Sequence, residues 1–268
     1  MPLKDISQRG EAEMSDFWIM RPFKPLFLIL LALCLALLIA ADILLKGKSD
    51  REKAMVICIT CWIALLGFIA YKYALSADEE YNVITASMGG FNWWGELPLH
   101  LCNINLLLIP IAVLTKQRPL LGFCFFIGPL GALMALVMPG NGFEGYSIFL
   151  PRMLGYYGTH YVVLIASLAI GIFGLYRPQL RDIPLTALTL FLLGLAIFGV
   201  NMLLRTTGLH PKANYFYSVE TEGNPLLELF HRWIPCPFLY MLPCIVILAG
   251  YSSLITLLFH IASRLKAK

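Results

Sequence analysis

Leu26 to Leu45 reads LFLILLALCLALLIAADILL, an apolar stretch in which Asp42 is the one charged residue. A helix rises about 1.5 Å per residue, so a run of this length covers about 30 Å, the thickness of a bilayer's hydrocarbon core. Pro25 stands just ahead of it, where the first turn of a helix accepts proline. Four basic residues follow (Lys46, Lys48, Arg51, Lys53) against two immediately before (Arg21, Lys24). That balance favours a retained anchor with its N-terminus outside over the competing reading, a cleaved signal peptide.

Six more runs have the same character: Met55 to Leu75, Leu97 to Leu114, Leu120 to Met138, Met153 to Tyr176, Leu185 to Leu204 and Pro237 to Ala262. The expected fold is therefore all-α, a polytopic membrane protein built as a bundle of seven transmembrane helices. Residues 1–24 form an N-terminal tail, with a short interfacial helix around Phe17 to Met20, and residues 25–264 a single transmembrane domain. The connectors 77–96, 139–152 and 206–234 are rich in Gly, Pro and aromatics and read as interfacial or re-entrant pieces. Gly128-Pro129 predicts a kink in the fourth run.

Composition agrees. Of 268 residues 59% are hydrophobic and 13% charged, and the mean hydropathy is +0.76, too little polar surface to coat a water-soluble globule. The net charge of +4 is spread over short loops rather than gathered in a stripe, which argues against a nucleic-acid partner. Six of the seven cysteines (Cys34, Cys58, Cys61, Cys102, Cys124, Cys244) lie in apolar runs, where a thiol behaves as a small hydrophobe. Their spacing gives no disulfide framework or zinc site. Cys58 and Cys61 have redox-motif spacing without the βαβ context that such chemistry uses.

With seven spans, the connectors after spans 1, 3 and 5 and the C-terminal tail share one side. They hold eleven Lys or Arg and, beyond Asp42, only Asp50, Glu52 and Asp182 as acids, whereas the other side holds nine basic and twelve acidic residues. Cationic excess marks the cytoplasm, so the expected topology is N-terminus outside and C-terminus cytoplasmic, in a bacterial inner membrane.

Ionisable and amide groups inside hydrocarbon are costly and by default mark a working site. Span 3 enters from the outer side with Glu96, His100, Cys102, Asn103 and Asn105. Span 5 enters there with Arg152, Tyr156, Tyr157, Thr159 and His160. Span 6 ends there with Asn201 and Arg205, and His231, Arg232 and Trp233 precede span 7. The intramembrane polarity thus falls in one leaflet, and four helices are expected to share a polar cavity. Arg152, Tyr156 and His160 make one stripe on span 5, and Glu96, His100 and Asn103 one on span 3. On a continuous helix His100 and Cys102 stand about 200° apart, which leaves His160 as the histidine free to face Cys102. Each residue also has a structural reading: the asparagines as interhelical glue, a buried Cys as filler, and Trp93 and Trp94 as belt residues.

The string Glu96-Leu-Pro-Leu-His-Leu-Cys-Asn-Ile-Asn105 resembles the YwaF-like family of bacterial integral membrane proteins, related to eukaryotic transmembrane protein 164. The resemblance continues through Tyr156-Tyr-Gly-Thr-His160, Asn214-Tyr-Phe-Tyr217, Asn224-Pro-Leu-Leu227 and Trp233-Ile-Pro-Cys-Pro-Phe-Leu-Tyr240, and covers roughly residues 55 to 262. It implies a seven-helix protein whose eukaryotic relative looks like a phospholipid acyltransferase using a Cys and a His. A more distant likeness is to membrane hydrolases of fatty acid esters that use a Thr and a His. By position His160 matches the family histidine. The acyltransferase Cys falls where this chain has Leu99, and the hydrolase Thr falls at Cys102.

Two functions fit. In the first, a lipid acyl hydrolase or acyltransferase, Cys102 attacks an ester carbonyl and His160 is base and then acid, with His100 beside them. Asn103 or Asn105 donates to the oxyanion, and Arg152 or Arg205 holds a lipid phosphate. Tyr156 and Asn201 complete the lining. The second is a transporter or small-solute-binding protein using the same cavity. A metal site of His100, His160 and Glu96 lacks ligand spacing except between Glu96 and His100. The favoured reading requires no metal or cofactor, takes membrane lipid as environment and substrate, and leaves the oligomeric state open.

Overall fold

The structure, a computed structural model, describes residues 16–86, 90–140 and 142–266. Nine helices are described: α1 Pro25–Leu44, α2 Asp50–Ser76, α3 Glu79–Ile84, α4 Leu101–Thr115, α5 Arg118–Val137, α6 Pro151–Ile172, α7 Ile183–Thr206, α8 Pro225–Trp233 and α9 Leu242–Lys266. Six helical stretches are long and apolar enough to cross a bilayer: α1, α2, α5, α6, α7 with the turn that precedes it, and α9. The chain is an all-α polytopic membrane protein with these six candidate spans and one shorter apolar helix, α4.

The helix α4 departs from the expected third span. It has 15 residues, about 22 Å at 1.5 Å per residue, and it starts at Leu101 rather than Leu97. Pro98 disfavours a helical Leu97. The Tyr215 hydroxyl accepts from the Leu97 amide at 3.0 Å and donates to the Trp94 carbonyl at 2.7 Å, which holds this approach in an irregular path. His100 becomes the extended N-cap, φ −69° and ψ 150°. Glu96, His100 and Asn103 therefore do not form a helical stripe, and the 200° separation of His100 from Cys102 does not apply.

Other boundaries follow ordinary chain chemistry. The helix α2 opens with a capping box, in which Ser49 Oγ accepts from the Glu52 amide and Glu52 accepts from the Ser49 amide, satisfying two donors the helix cannot. Proline opens α1, α5, α6 and α8 near N1. Pro129 lies inside α5 without ending it. Asp16 and Phe17 are helical, but the chain then turns, and strand β1 (Ile19–Met20) pairs antiparallel with β2 (Tyr146–Ser147), which places the fully buried Met20 in one cluster with Ile148 and Met153.

The helices α5 and α6 form the centre, with 61% of their span residues buried against 17% in α1 and α9. The helix α6 packs on α1, α2, α4 and α5, and α7 joins α5 to α9. Segments 77–86, 90–100, 142–150 and 207–241 gather at one end. Arg152 at the start of α6 binds Asp78 at 2.7 Å and Glu80 at 2.6 Å there, and the Asn92 amide donates to the Leu209 carbonyl at 3.0 Å. The opposite end is fastened by Arg118, whose Nε donates to Asp182 at 2.9 Å, and by Lys53 on the Phe173 carbonyl at 3.0 Å. Cys58 and Cys61 are buried free thiols, Cys58 against the Pro110 carbonyl at 3.9 Å.

Candidate functional site

The face of α5 that carries Gly128, Gly131 and Ala135 organises the polar interior, since positions i, i+3 and i+7 share one side of a helix. A side chain on Gly131 would meet the Cys102 sulfur of α4 at 3.3 Å, so the missing Cβ lets that thiol lie against the helix. One turn on, the Tyr156 hydroxyl of α6 donates to the Ala135 carbonyl at 2.8 Å. His160 packs on Tyr156, ring centroids 4.4 Å apart, and its Nδ1 lies 2.7 Å from the Tyr156 carbonyl oxygen. A carbonyl can only accept, so Nδ1 carries the proton and the Nε2 lone pair is left for other work. Cys102 lies within electrostatic range of the Tyr156 and Tyr217 phenols.

A second cluster surrounds Lys72 on α2. Its ammonium pairs with Glu96 and sits 4.6 Å from the Tyr71 ring centroid and 5.2 Å from that of Phe68. Tyr81 donates to the other Glu96 oxygen at 3.4 Å. His100 lies within electrostatic reach of both charges, and His160 within reach of Lys72 and His100. The Tyr215 ring packs on His100, centroids 4.9 Å apart. Lys72 was open to the sequence reading, being the only charge in Met55 to Leu75, and an intramembrane lysine is itself a functional signal. Tyr71, Tyr81 and Tyr215 carried no such mark, since tyrosines at span ends are ordinary belt residues.

The remaining expected site residues are engaged elsewhere or lie deeper. Arg152 is 1% exposed, with its guanidinium taken by Asp78 and Glu80 and stacked on Tyr146 at 4.3 Å. Arg205 pairs with Glu220 at 2.8 Å and donates from Nε to the Ala213 carbonyl. Asn201 gives Nδ2 to the Tyr215 carbonyl and the Ser218 hydroxyl, and its Oδ1 accepts from the Tyr215 amide, each at 2.9 Å. Arg205 and Asn201 hold the segment 213–220 in place, and Arg152 holds residues 78–80. Asn103 is buried. Asn105 donates to the Leu101 carbonyl at 2.7 Å, and its Oδ1 faces Gly128. Among the described residues no group of three His, Cys, Asp or Glu is placed to hold a metal ion.

The segment Thr207 to Gly223 lies at this end of the bundle and carries His210 and Glu222 among its perturbed groups. Burial, and secondarily Arg205, hold the His210 imidazole below its ordinary range against the pull of Glu96. Burial holds the Glu222 carboxyl above its ordinary range, opposed by the Asn214 amide, which donates to it at 2.7 Å. Phe216 and Tyr217 both lie in the left-handed region, φ 62° and 55°, a conformation that bulky side chains adopt only when their surroundings impose it. The Asn201 bonds and the Tyr240 hydroxyl on the Tyr217 carbonyl supply that constraint.

No curated protein and no solved structure matches the chain. The model of the TMEM164 family matches it over residues 18–261, a stretch that takes in the first five candidate spans, nearly all of the sixth, α4 and both polar clusters, and the chain belongs to the TMEM164 family.

Proposed function

We propose that this TMEM164-family protein is a membrane-embedded lipid acyl hydrolase or acyltransferase in which Cys102 is the nucleophile and His160 the general base, close to the YwaF-like bacterial proteins its sequence strings resemble. The observations that support the reading are Cys102 against Gly131 and the Tyr156 hydroxyl on the Ala135 carbonyl, one turn apart on α5, with His160 packed on Tyr156 and its Nδ1 committed to a carbonyl. His160 Nε2 takes the thiol proton as sulfur adds to the ester carbonyl carbon. The intermediate collapses to a thioester, and the departing alcohol leaves with that proton. Water or an acceptor alcohol then gives its proton to His160, attacks the thioester, and the proton returns to sulfur. Asn103 or Asn105 would donate to the oxyanion.

His100 is exposed at the start of α4, with its ring packed on that of Tyr215. By the charge asymmetry of the loops, this end lies in the outer leaflet of a bacterial inner membrane, with α4 counted as the seventh span. Arg152 and Arg205 fit a fastening role better than phosphate binding, because each already has its carboxylate.

The experiment is turnover of a labelled phospholipid by purified protein in nanodiscs. Wild type is expected to release or transfer the acyl group and to show an acyl adduct on Cys102 by mass spectrometry. Cys102→Ala and His160→Gln are expected to lose both while remaining folded. Full activity in both variants would refute the assignment. A transporter or small-solute-binding protein is the second reading, favoured by the Lys72–Glu96 pair, since intramembrane ion pairs mark ion and proton paths. Solute-dependent uptake into proteoliposomes that survives Cys102→Ala but not Lys72→Met would select it.

A further inference from the structure

The α5 face that meets Cys102 and Tyr156 continues inward to Gly128, where two polar side chains are left over. Ser167 of α6 and Asn105 of α4 are both 0% exposed. Ser167 Oγ and Asn105 Oδ1 take no hydrogen bond from any described residue. Both point at the same place, because a Cβ on Gly128 would lie 1.9 Å from Ser167 Oγ and 3.4 Å from Asn105 Oδ1. The two oxygens are therefore at most about 5.3 Å apart, the span of two O–H···O hydrogen bonds laid end to end. Pro129, next in the chain, has no N–H, so the Phe125 carbonyl lacks its helical donor and adds an acceptor in the same turn of α5.

One group is a hydroxyl that can donate, and the other is an amide oxygen that can only accept. A buried donor and acceptor left without partners are costly, and such sites are ordinarily completed by one ordered water with two to four polar neighbours. We propose that a single water molecule sits between Ser167 Oγ and Asn105 Oδ1, where α4 and α6 meet at Gly128 of α5, accepting from the Ser167 hydroxyl and donating to Asn105 Oδ1. A monovalent cation would find oxygens here too, but the residues that define the site are neutral. A charge in a low-dielectric interior without a counter-charge is far more costly than a water.

The site lies one helical turn inward from the Gly131 position that faces Cys102, so it places a water beside the polar interior from the side opposite the loops. This inference rests on the unpartnered oxygens and holds whether or not Cys102 is a nucleophile.

The sign of a stability change tests it. If water bridges the two groups, Ser167→Ala removes a made hydrogen bond, and Tm in nanodiscs is expected to fall by roughly 2–4 °C. Asn105→Leu is expected to lower it as well, and the double variant to lose less than the sum, because one water serves both. If the hydroxyl is instead without any partner, removing it relieves a penalty and Ser167→Ala raises Tm, which overturns the proposal. A Tm that rises with sodium but not with choline at equal ionic strength, and loses that dependence in Ser167→Ala, overturns it in favour of a cation. Strictly additive effects of the two substitutions overturn the bridge as well.

Discussion

Substituting Lys72 by Met tests the reading of the α2 cluster most directly. The side chain keeps its length and packing but loses the charge, and Glu96 is left without its cation, with Tyr81 as a weak donor at 3.4 Å. The paired side chains are only 10% and 16% exposed, so the stranded carboxylate meets little solvent. Removing one partner of a buried ion pair costs about 3–5 kcal/mol. At roughly 2–4 °C per kcal/mol for a chain of this order of size, the loss is about 6–20 °C in Tm. Glu96→Met should cost a similar amount by stranding Lys72. The double variant should return to within about 1 kcal/mol of wild type, because a buried pair replaced by apolar groups of similar volume is close to neutral. The residue of that cycle is the cation–π contact with Tyr71, on the order of 1 kcal/mol. Thermal unfolding of all four proteins in nanodiscs measures this. Single variants within about 1 kcal/mol of wild type, or a double variant that falls by the sum, would show that the two charges are not coupled in a dry interior and refute the reasoning.

Three further outcomes follow from the packing. Asn201→Leu removes three hydrogen bonds and leaves the Tyr215 amide unmatched, while the Tyr215 carbonyl keeps the Ser218 donors; a loss of about 2–4 kcal/mol is expected, with faster amide exchange in residues 213–220. Gly155→Ala puts a methyl 2.0 Å from the Tyr71 ring, which forces α2 off α6 at about 1–3 kcal/mol; Tyr71→Leu in the same chain should restore part of it, read as Tm. His210 is held below its ordinary value of 6.5 in the folded chain, so the unfolded chain takes the proton first as pH falls. Its contribution is full above that value and lost as pH drops through the folded-state value. Protection factors in residues 92–97 and 209–215, corrected for the intrinsic pH dependence of exchange, should therefore fall on acidification below pH 6.5, and His210→Gln should flatten the dependence.

Much of this was legible in the chain itself. Runs such as Leu26 to Leu45 fix a membrane-spanning helix because the bilayer demands length and apolarity, both of which are local properties. The gathering of polar residues toward one end was legible for the same reason, since depth along a span is a count of residues. The expected stripe through Glu96, His100 and Asn103 failed because Tyr215, more than a hundred residues away, captures the Leu97 amide and Trp94 carbonyl and keeps 96–100 out of the helix.

What the sequence by itself determined is the solvent: a chain this apolar lives in lipid, as helices, with its polar groups at one end. Tertiary packing decided which of those groups are tied to the connecting segments and which are not. Arg152, Asn201 and Arg205 read alike with His160 and Cys102 on a list of intramembrane polar residues, yet the first three are consumed by partners on the connecting segments. Of the last two, Cys102 lies against Gly131 of α5 and His160 packs on Tyr156, whose hydroxyl reaches the Ala135 carbonyl of the same helix. That division depends on where long loops return, and a side chain's hydrogen-bond partner across space leaves no trace in its own neighbourhood of the chain.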